Sequence, residues 1–404
     1  MSTIDDTPDD DAVLGRGVRA LYRAADTSPP CSLSTLVDVL CQTVGARSGR
    51  LFVADYGLRS MREVSLVGPV GVPVSMDATV AGHALAGGDM VAIGADPTVV
   101  RVPLVDGTER IGLIELEFDE WHEDAGPLLL LMARTLVLLF KTKARYTDEW
   151  VRARRAVPLS AAAEVQWDLL PPLAASAADI AVAGILEPAY KIGGDSFDYA
   201  LNGSTLDFAI VDAVGHGMSA VLMAASAING LRNVRRERGG LTAAYAQVDD
   251  LIATHFGHSF YVTGQFGSLD VATGRLRWIN AGHVLPLLVR NGTFAGELVC
   301  APSRPMGLGG SVVEIAEQTL QGGDRVLFYS DGITESRSAE GEFFGTDRLA
   351  DYLVRSTPER VSVEETVRRL SANILAFTAN VLNDDATMFL VEYRVQRPAA
   401  ADVE

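Results

Sequence analysis

Residues 188–217 read PAYKIGGDSFDYALNGSTLDFAIVDAVGHG. The pair Gly193-Gly194 leads into Asp195 and Asp198, and a short polar turn follows. The apolar run 206–211 then ends in Asp212, a small residue, and Gly215-His216-Gly217. The run reads as a strand, and the acids sit on the loops that flank it. Carboxylates beside glycines at strand ends suit hard metal ions, whose preferred ligands are oxygen anions, better than they suit a core.

Outward from this stretch the same theme recurs. Strands are expected over 180–186, 206–212, 259–269, 276–280, 285–289, 312–317, 324–329 and 386–393, and helices over 219–236, 242–255, 346–356 and 362–377. Many strands joined by hairpins, with helices in pairs, predict two packed sheets with helices outside. No GxGxxG or Walker sequence follows a strand, which disfavours nucleotide-dependent chemistry. Asp331 lies in RVLFYSDGITE, where a strand runs out into a glycine turn. Asp384-Asp385 lie in NVLNDDATMFLVEY, immediately before a strand. A lone Asp at a strand end is usually a turn residue or cap; several in one domain make a cumulative case. Converging carboxylates repel and raise one another's pKa unless cations neutralise them. Carboxylates, backbone carbonyls and waters are what Mg²⁺ and Mn²⁺ take. Two such ions about 3.5–4 Å apart can clamp an in-line displacement on phosphorus. Gly193, Gly194, Ala213 and Gly215 leave room for backbone to approach ions. The serine elbow and HExxH that other hydrolytic schemes need are missing.

The ordered pieces AEVQWDLLPP, GGDSFD, DAVGHGMSA, FYVTGQFGSLD, NAGHVLP, RPMGL, GGDRVLFYSDGITE, FFG and NDDATMFLV span about 160–394. Together they resemble the SpoIIE/RsbU-like branch of PP2C-type phosphatases, serine/threonine phosphoprotein phosphatases that use Mn²⁺ or Mg²⁺. The resemblance implies two ions: Asp195 and Asp212 with the Ala213 carbonyl at the second, Asp212 bridging, and Asp331 and Asp385 completing the first. It implies hydrolysis by a hydroxide between the ions, without a phosphoenzyme. Asp198 and Asp384 read as outer groups or caps. His216 stands four residues after Asp212 rather than two, so the general-acid role of the broader family is not carried over to it. His283, in NAGHVLP, reads as structural. With no arginine evident in the broader family's phosphate position, Lys191 is the nearest cationic candidate. GGDSFD carries Ser196 where aromatic residues are common in this branch, and Ser330 stands where threonine is common; neither removes a carboxylate. The implied substrate is a phosphorylated anti-anti-sigma factor-like protein.

Residues 30–142 read as helix (33–44), several strands and a long exit helix starting near 128. An antiparallel sheet with helices is the expectation. SGRLFVAD, the hairpin VPLVDGTERIGLIELEF and the exit helix resemble GAF sensory domains, which implies a possible small ligand or regulatory protein as input. Cys31, Cys41 and His83 are the residues there with ligand chemistry, though isolated Cys and His more often pack. Leu129, Met132, Leu136, Leu139, Lys143, Tyr146, Trp150, Ala153 and Val157 are spaced alternately three and four apart. That seam predicts a coiled-coil linker and a homodimer; a helix packed on its own domain is the alternative. A second helix fits 159–170, in the segment that acts as a switch in the resembled family. The expected organisation is a flexible 1–29, a GAF-like 30–142, a helical linker and switch 143–172, a phosphatase domain 173–394 and a flexible 395–404. The fold class is α+β.

The chain has 404 residues, 48% of them hydrophobic, with net charge −18. That charge argues against an electrostatic footprint for nucleic acid or anionic membrane. Cys31, Cys41 and Cys300 show no metal spacing and no disulfide framework. An acidic N-terminus without a signal sequence, and an apolar run 127–140 interrupted by Arg134, give a cytoplasmic expectation. The rival readings are a catalytically silent phosphoprotein-binding scaffold and a hydrolase of small phosphate esters.

Overall fold

The computed structural model describes residues 10–65, 68–77, 79–94, 97–107, 109–188, 193–310, 312–357 and 361–395. The chain divides into two compact units, Met1–Pro158 and Leu159–Glu404.

The first unit runs α1 (Asp10–Thr27), α2 (Leu33–Val44), β1 (Ser48–Ala54), β2 (Ser60–Ser65), β3 (Gly68–Ser75), α3 (Val80–Gly87), β4 (Val91–Ile93), β5 (Thr98–Asp106), β6 (Glu109–Phe118), α4 (Gly126–Ala144) and α5 (Glu149–Ala153). Its six strands pair antiparallel in the order β3-β2-β1-β6-β5-β4. Leu33, Leu36, Val37 and Leu40 of α2 and Leu129, Met132, Leu136 and Phe140 of α4 bury their apolar stripes with Leu51, Val53, Ile114 and Leu116 of the sheet. Thr79 caps α3 by accepting the Gly82 N–H at 3.0 Å, whereas Ser32 makes no side-chain cap on α2.

Two expectations are corrected here. Residues 10–27 form a helix rather than a flexible lead, because Leu21 is fully buried and Leu14 and Val18 pack on the same core. Residues 1–9 and 396–404 lie outside the described residues. The coiled-coil linker is not one helix. α4 stops at Ala144, and α5 turns back so that Trp150 and Ala153 join the unit's own core, with Trp150 6.1 Å from the Phe140 ring. Lys143, the charged break in the seam, is buried and donates to Ser28 O at 2.9 Å. The seam proposed to join two copies is thus used inside one chain, and only Tyr146 and Val157 of its C-terminal part stand exposed. The helical run Glu123–Ala144 is long and apolar enough to cross a membrane, and 44% of its most apolar window is buried within the protein.

The second unit runs α6 (Ala161–Leu169), β7 (Ala174–Ser176), β8 (Ile180–Glu187), β9 (Asp195–Asn202), β10 (Thr205–Ala213), α7 (Met218–Arg236), α8 (Leu241–Phe256), β11 (Val262–Asp270), β12 (Arg275–Ala281), β13 (Leu287–Arg290), β14 (Thr293–Glu297), β15 (Ala316–Thr319), β16 (Arg325–Tyr329), α9 (Asp331–Thr334), α10 (Gly345–Ser356), α11 (Val363–Phe377) and β17 (Ala386–Tyr393). One antiparallel sheet has the order β15-β12-β11-β10-β9, the other β14-β13-β16-β17-β8-β7. The sheets meet through Phe197 and Phe208 of the first and Phe328 and Phe389 of the second; Phe208 and Phe328 are 4.5 Å apart, and Phe197 stacks on Phe389 at 5.8 Å. On the outer faces, α7 and α8 cover Ala209, Val211, Phe266 and Ile279, while α10 and α11 cover Ala183, Ile185, Leu327 and Leu390. This is the four-layer α/β/β/α sandwich expected from the alternation of strands and helices.

Candidate metal centre

Register brings the acids together. In the β9–β10 pair Asp195 stands directly opposite Asp212. Asp331 is the first residue after the β16 strand and its Ser330 cap, and Asp385 immediately precedes β17, the neighbour of β16. The ends of both sheets therefore bring these residues to the same end of the sandwich. Between the sheets, the Asp385 carboxylate accepts the Gly193 N–H at 2.7 and 3.0 Å and the Asp195 N–H at 3.2 Å. Asp384 accepts the Asp385 N–H at 2.9 Å, shaping the loop.

Asp195 was expected on a loop but begins a strand. The 195–202 segment alternates, with Phe197 and Tyr199 turned to Phe389 and the inner layer, and Asp198 turned to the helices. Asp198 is a structural anchor: it is buried and ion-paired to Arg232 at 2.7 Å and Arg235 at 2.8 Å, tying α7 to β9. It is not brought to the cleft.

Asp212, Asp331, Asp384, Ala213, Thr263 and His283 line a cleft of about 280 Å³. Burial, reinforced by Asp331, Asp384 and Asp385, pushes the Asp212 carboxyl up to about 7. Burial also lifts Asp385 to about 6, against the pull of its backbone N–H donors. Asp195, fully buried and facing Asp212 and Asp385, is raised well above the ordinary carboxylate range. Among the described residues, no basic side chain forms an ion pair with these carboxylates.

Three observations test whether the residues fit a hard cation. Asp195 Oδ2 is buried with no hydrogen-bond partner among the described residues. A Cβ on Gly194 would stand 2.2 Å from Ala213 O, and one on Gly193 2.8 Å from Asp385 Oδ2, so backbone and carboxylate approach closely only because both are glycine. The donors are all oxygen. Among the described residues, no three acidic, histidine or cysteine side chains already stand close enough to share one ion; Asp212, Asp331 and Asp384 line the cleft, while Asp195 and Asp385 are buried and are not part of its lining.

His283 is half-buried, and desolvation of its ring lowers its pKa to about 4. Its ring nitrogens lie 3.1 Å from Thr263 Oγ1 and 3.1 Å from Tyr329 O. It therefore staples β11 of one sheet to the end of β16 in the other, the structural role expected of it. His216 is exposed between β10 and α7. Lys191 lies outside the described residues. Cys31 and His83 are exposed, and Cys41 and Cys300 are buried free thiols.

Gln166 was not read as a site residue. It is buried on α6, and its Nε2 donates to the Asp195 carbonyl. The available signal was a glutamine on the otherwise apolar side of that helix, since a buried amide needs a partner.

The raised carboxylates carry a stability consequence. A carboxyl whose folded pKa exceeds its unfolded value binds more protons when folded. Its stabilising contribution is full below about pH 4 and is lost as pH rises through the folded value. In chelator, the protein's melting temperature relative to that of D212N should therefore fall between about pH 4 and pH 7. His283 acts oppositely, losing stability as pH falls from 6.5 towards 4, and cancels in the difference. A difference that stays flat across this range in scanning calorimetry contradicts the assignment.

A sandwich of two antiparallel sheets flanked by helices, with acids gathered at the shared strand ends, is the architecture of a PP2C-type domain. Residues 202–394 match the family described as Stage II sporulation protein E (SpoIIE), and the C-terminal unit belongs to that family. Protein IcfG of Synechocystis sp. is 29% identical over 146 residues, covering 35% of this chain and 22% of its own length. Phosphoserine phosphatase RsbU of Bacillus subtilis is 22% identical over 242 residues, covering 58% of this chain and 69% of its own. The crystal structure of the RsbU and RsbW domains of Rv1364c from Mycobacterium tuberculosis is 27% identical with a TM-score of 0.45, covering 55% of this chain and 61% of that one. The chain thus spans about a fifth of the length of one curated relative and about two thirds of the other.

Proposed function

We propose that the chain is a divalent-metal-dependent phosphoserine/phosphothreonine protein phosphatase. The observation that carries this reading is the register Asp195 opposite Asp212, closed from the other sheet by Asp385. Asp195, Asp212 and the Ala213 carbonyl would hold one Mn²⁺ or Mg²⁺, and Asp212, Asp331 and Asp385 the other. Bound there, the ions supply Lewis acidity towards phosphoryl oxygens and a water acidic enough to act as nucleophile at neutral pH. The chain's own contribution is placement. Asp385 fixes the 193–195 backbone, His283 and Thr263 join the two sheets beside the cleft, and Gln166 holds the Asp195 carbonyl. The substrate reading is a phosphorylated anti-anti-sigma factor-like protein. The first unit, read as GAF-like, takes a small ligand or regulatory protein as input, and the whole works in the cytoplasm.

The test is phosphate release from phosphorylated anti-anti-sigma proteins with Mn²⁺ present or chelated. Release that persists undiminished after exhaustive chelation overturns the metal scheme. Gln166→Ala should weaken the cation requirement's half-saturation by roughly tenfold to a hundredfold, the usual cost of losing a group that orients a ligand. The readout is the Mn²⁺ concentration giving half-maximal release; an unchanged value shows that the Gln166 contact does not reach the site.

A further inference from the structure

The acidic cleft opens onto an exposed apolar lip. Val214 and Tyr261 line the cleft beside Asp212, and the Val214 N–H donates to Tyr261 O at 3.1 Å, which seats the two next to each other. Phe260 follows outward from Tyr261. On another side of the cleft Gly282 is in the lining, and a Cβ there would stand 3.0 Å from the Pro305 ring. The segment after Pro305 returns to Phe260: Met306 pairs with Val262, and a Cβ on Gly307 would stand 2.8 Å from Phe260 O. It delivers Leu308 to the lip. Beyond Val214, α7 begins at Met218, and Leu222 follows one turn later on the same face. Phe260, Leu308, Met218 and Leu222 are 37–45% exposed, so none of them is core.

The segment that carries Leu308 is held in place. Asp249 of α8 accepts the Gly307 N–H at 2.7 Å and the Gly309 N–H at 3.1 Å, and the Tyr245 hydroxyl donates to Arg304 O at 2.8 Å. A surface ordered in advance loses little freedom when something binds it.

Large apolar side chains scattered singly over a surface need no explanation, but a run of them continuous with a polar cleft marks an interaction site. The side chain of a phosphoserine is short. A polypeptide whose phosphoryl group stands at Asp212 must therefore lay its backbone along the lip. Its residues one or two places from the phosphorylated one then lie within about 7 Å of that residue. Any polypeptide that enters the cleft thus covers these side chains, whereas a second copy of the chain seated there would close the cleft. The described lining of the cleft includes no lysine or arginine, so acids flanking the phosphoresidue gain no partner in it. Apolar flanks remove water from Phe260 and Leu308.

We propose that this lip is the substrate-selecting surface of the site: it receives the residues immediately flanking the phosphorylated serine or threonine and selects apolar ones. The inference rests on the phosphatase reading and adds the kind of sequence in which the phosphoresidue sits.

The experiment uses the full chain with Mn²⁺ and two synthetic phosphopeptides. In one, phosphoserine is flanked by leucines on both sides; in the other, by glutamines. Phosphate release over a range of concentrations should give the wild type a kcat/KM at least about tenfold higher on the leucine peptide, a size in keeping with burial of one leucine side chain. The difference should lie in KM rather than kcat, as for binding shared by ground and transition states. Phe260→Ser combined with Leu308→Ser should raise KM for the leucine peptide about tenfold. The double variant should act on the glutamine peptide and on p-nitrophenyl phosphate, which has no flanking residue, as the wild type does; this also reports that it is folded. Equal kcat/KM for the two peptides in the wild type, or a double variant that still prefers leucine, overturns the proposal. A double variant impaired equally on all three substrates overturns it too, because the side chains then act on the cleft and not on the flanks. Hydrolysis of p-nitrophenyl phosphate but of neither peptide overturns it while the metal chemistry stands. If the wild type releases phosphate from none of the three, the phosphatase reading falls and this inference falls with it.

Discussion

Asp212→Asn should abolish phosphate release while making the metal-free protein more stable. Asp212 is the carboxylate assigned to both ions. Its loss removes anionic ligation from each, and electrophilic stabilisation of this kind is worth several kcal/mol. A fall of about a thousandfold or more in release is expected, roughly 4 kcal/mol of barrier. Asn keeps the shape of the side chain and its place opposite Asp195 in the ladder. It also removes the charge that Asp331, Asp384 and Asp385 make unfavourable and that helps raise Asp195. In chelator at pH 7.5 the variant should therefore melt a few degrees higher than the wild type, and added Mn²⁺ should stabilise it less. The trade of stability for function is that of an active site. Retained release, or a variant that is less stable without metal, would sink the assignment.

Gly332→Ala should damage the fold and the site together. A Cβ at Gly332 would lie 1.8 Å from the carbonyl oxygen of Asp385 and 2.8 Å from its carbonyl carbon. The obstacle is backbone, so no rotamer relieves it. Either α9 or the loop before β17 must move, and these carry Asp331 and Asp385. A loss of about 2–4 kcal/mol, at the severe end for overpacking, is expected, with release lost even at high Mn²⁺. Gly240→Ala is the control, since its Cβ meets nothing within 4 Å and its φ of −85° is open to any residue. Urea unfolding of the two variants beside the wild type decides. Equal midpoints for Gly332→Ala and wild type would mean that the two loops are not in the contact described.

Much of the second unit was legible because its elements obey local rules. Strand 386–393 and helix 218–236 follow from apolar periodicity, and the acids proposed as ligands mark the strand ends. β9 escaped because Asp195, Ser196 and Asp198 interrupt any hydrophobic pattern; two arginines on a helix 34 and 37 residues away are what make a buried Asp198 tolerable. The 129–157 seam misled for a related reason. Spacing at threes and fours says that residues share a helix face, not what covers that face. Trp150 reaches Phe140 because the chain turns after Ala144, and no period in the sequence announces that turn. The Gln166 contact was equally hidden, since a glutamine on an apolar stripe reveals a need for a partner but not which carbonyl meets it.

The pairing of Asp195 with Asp212 makes chain length a constraint separate from side-chain identity. The two residues face each other because the turn between Asn202 and Thr205 has its particular number of residues. Deleting one residue from that turn, roughly 24 Å from the acids, would shift one strand by a position and swap its two faces. Phe197 would then face the helices, Asp198 the aromatic layer, and Asp195 would leave its partner. A family built on this hairpin can vary the turn's letters widely while its spacing stays counted, so insertions should accumulate in the loops beyond β12 sooner than in the turn between β9 and β10.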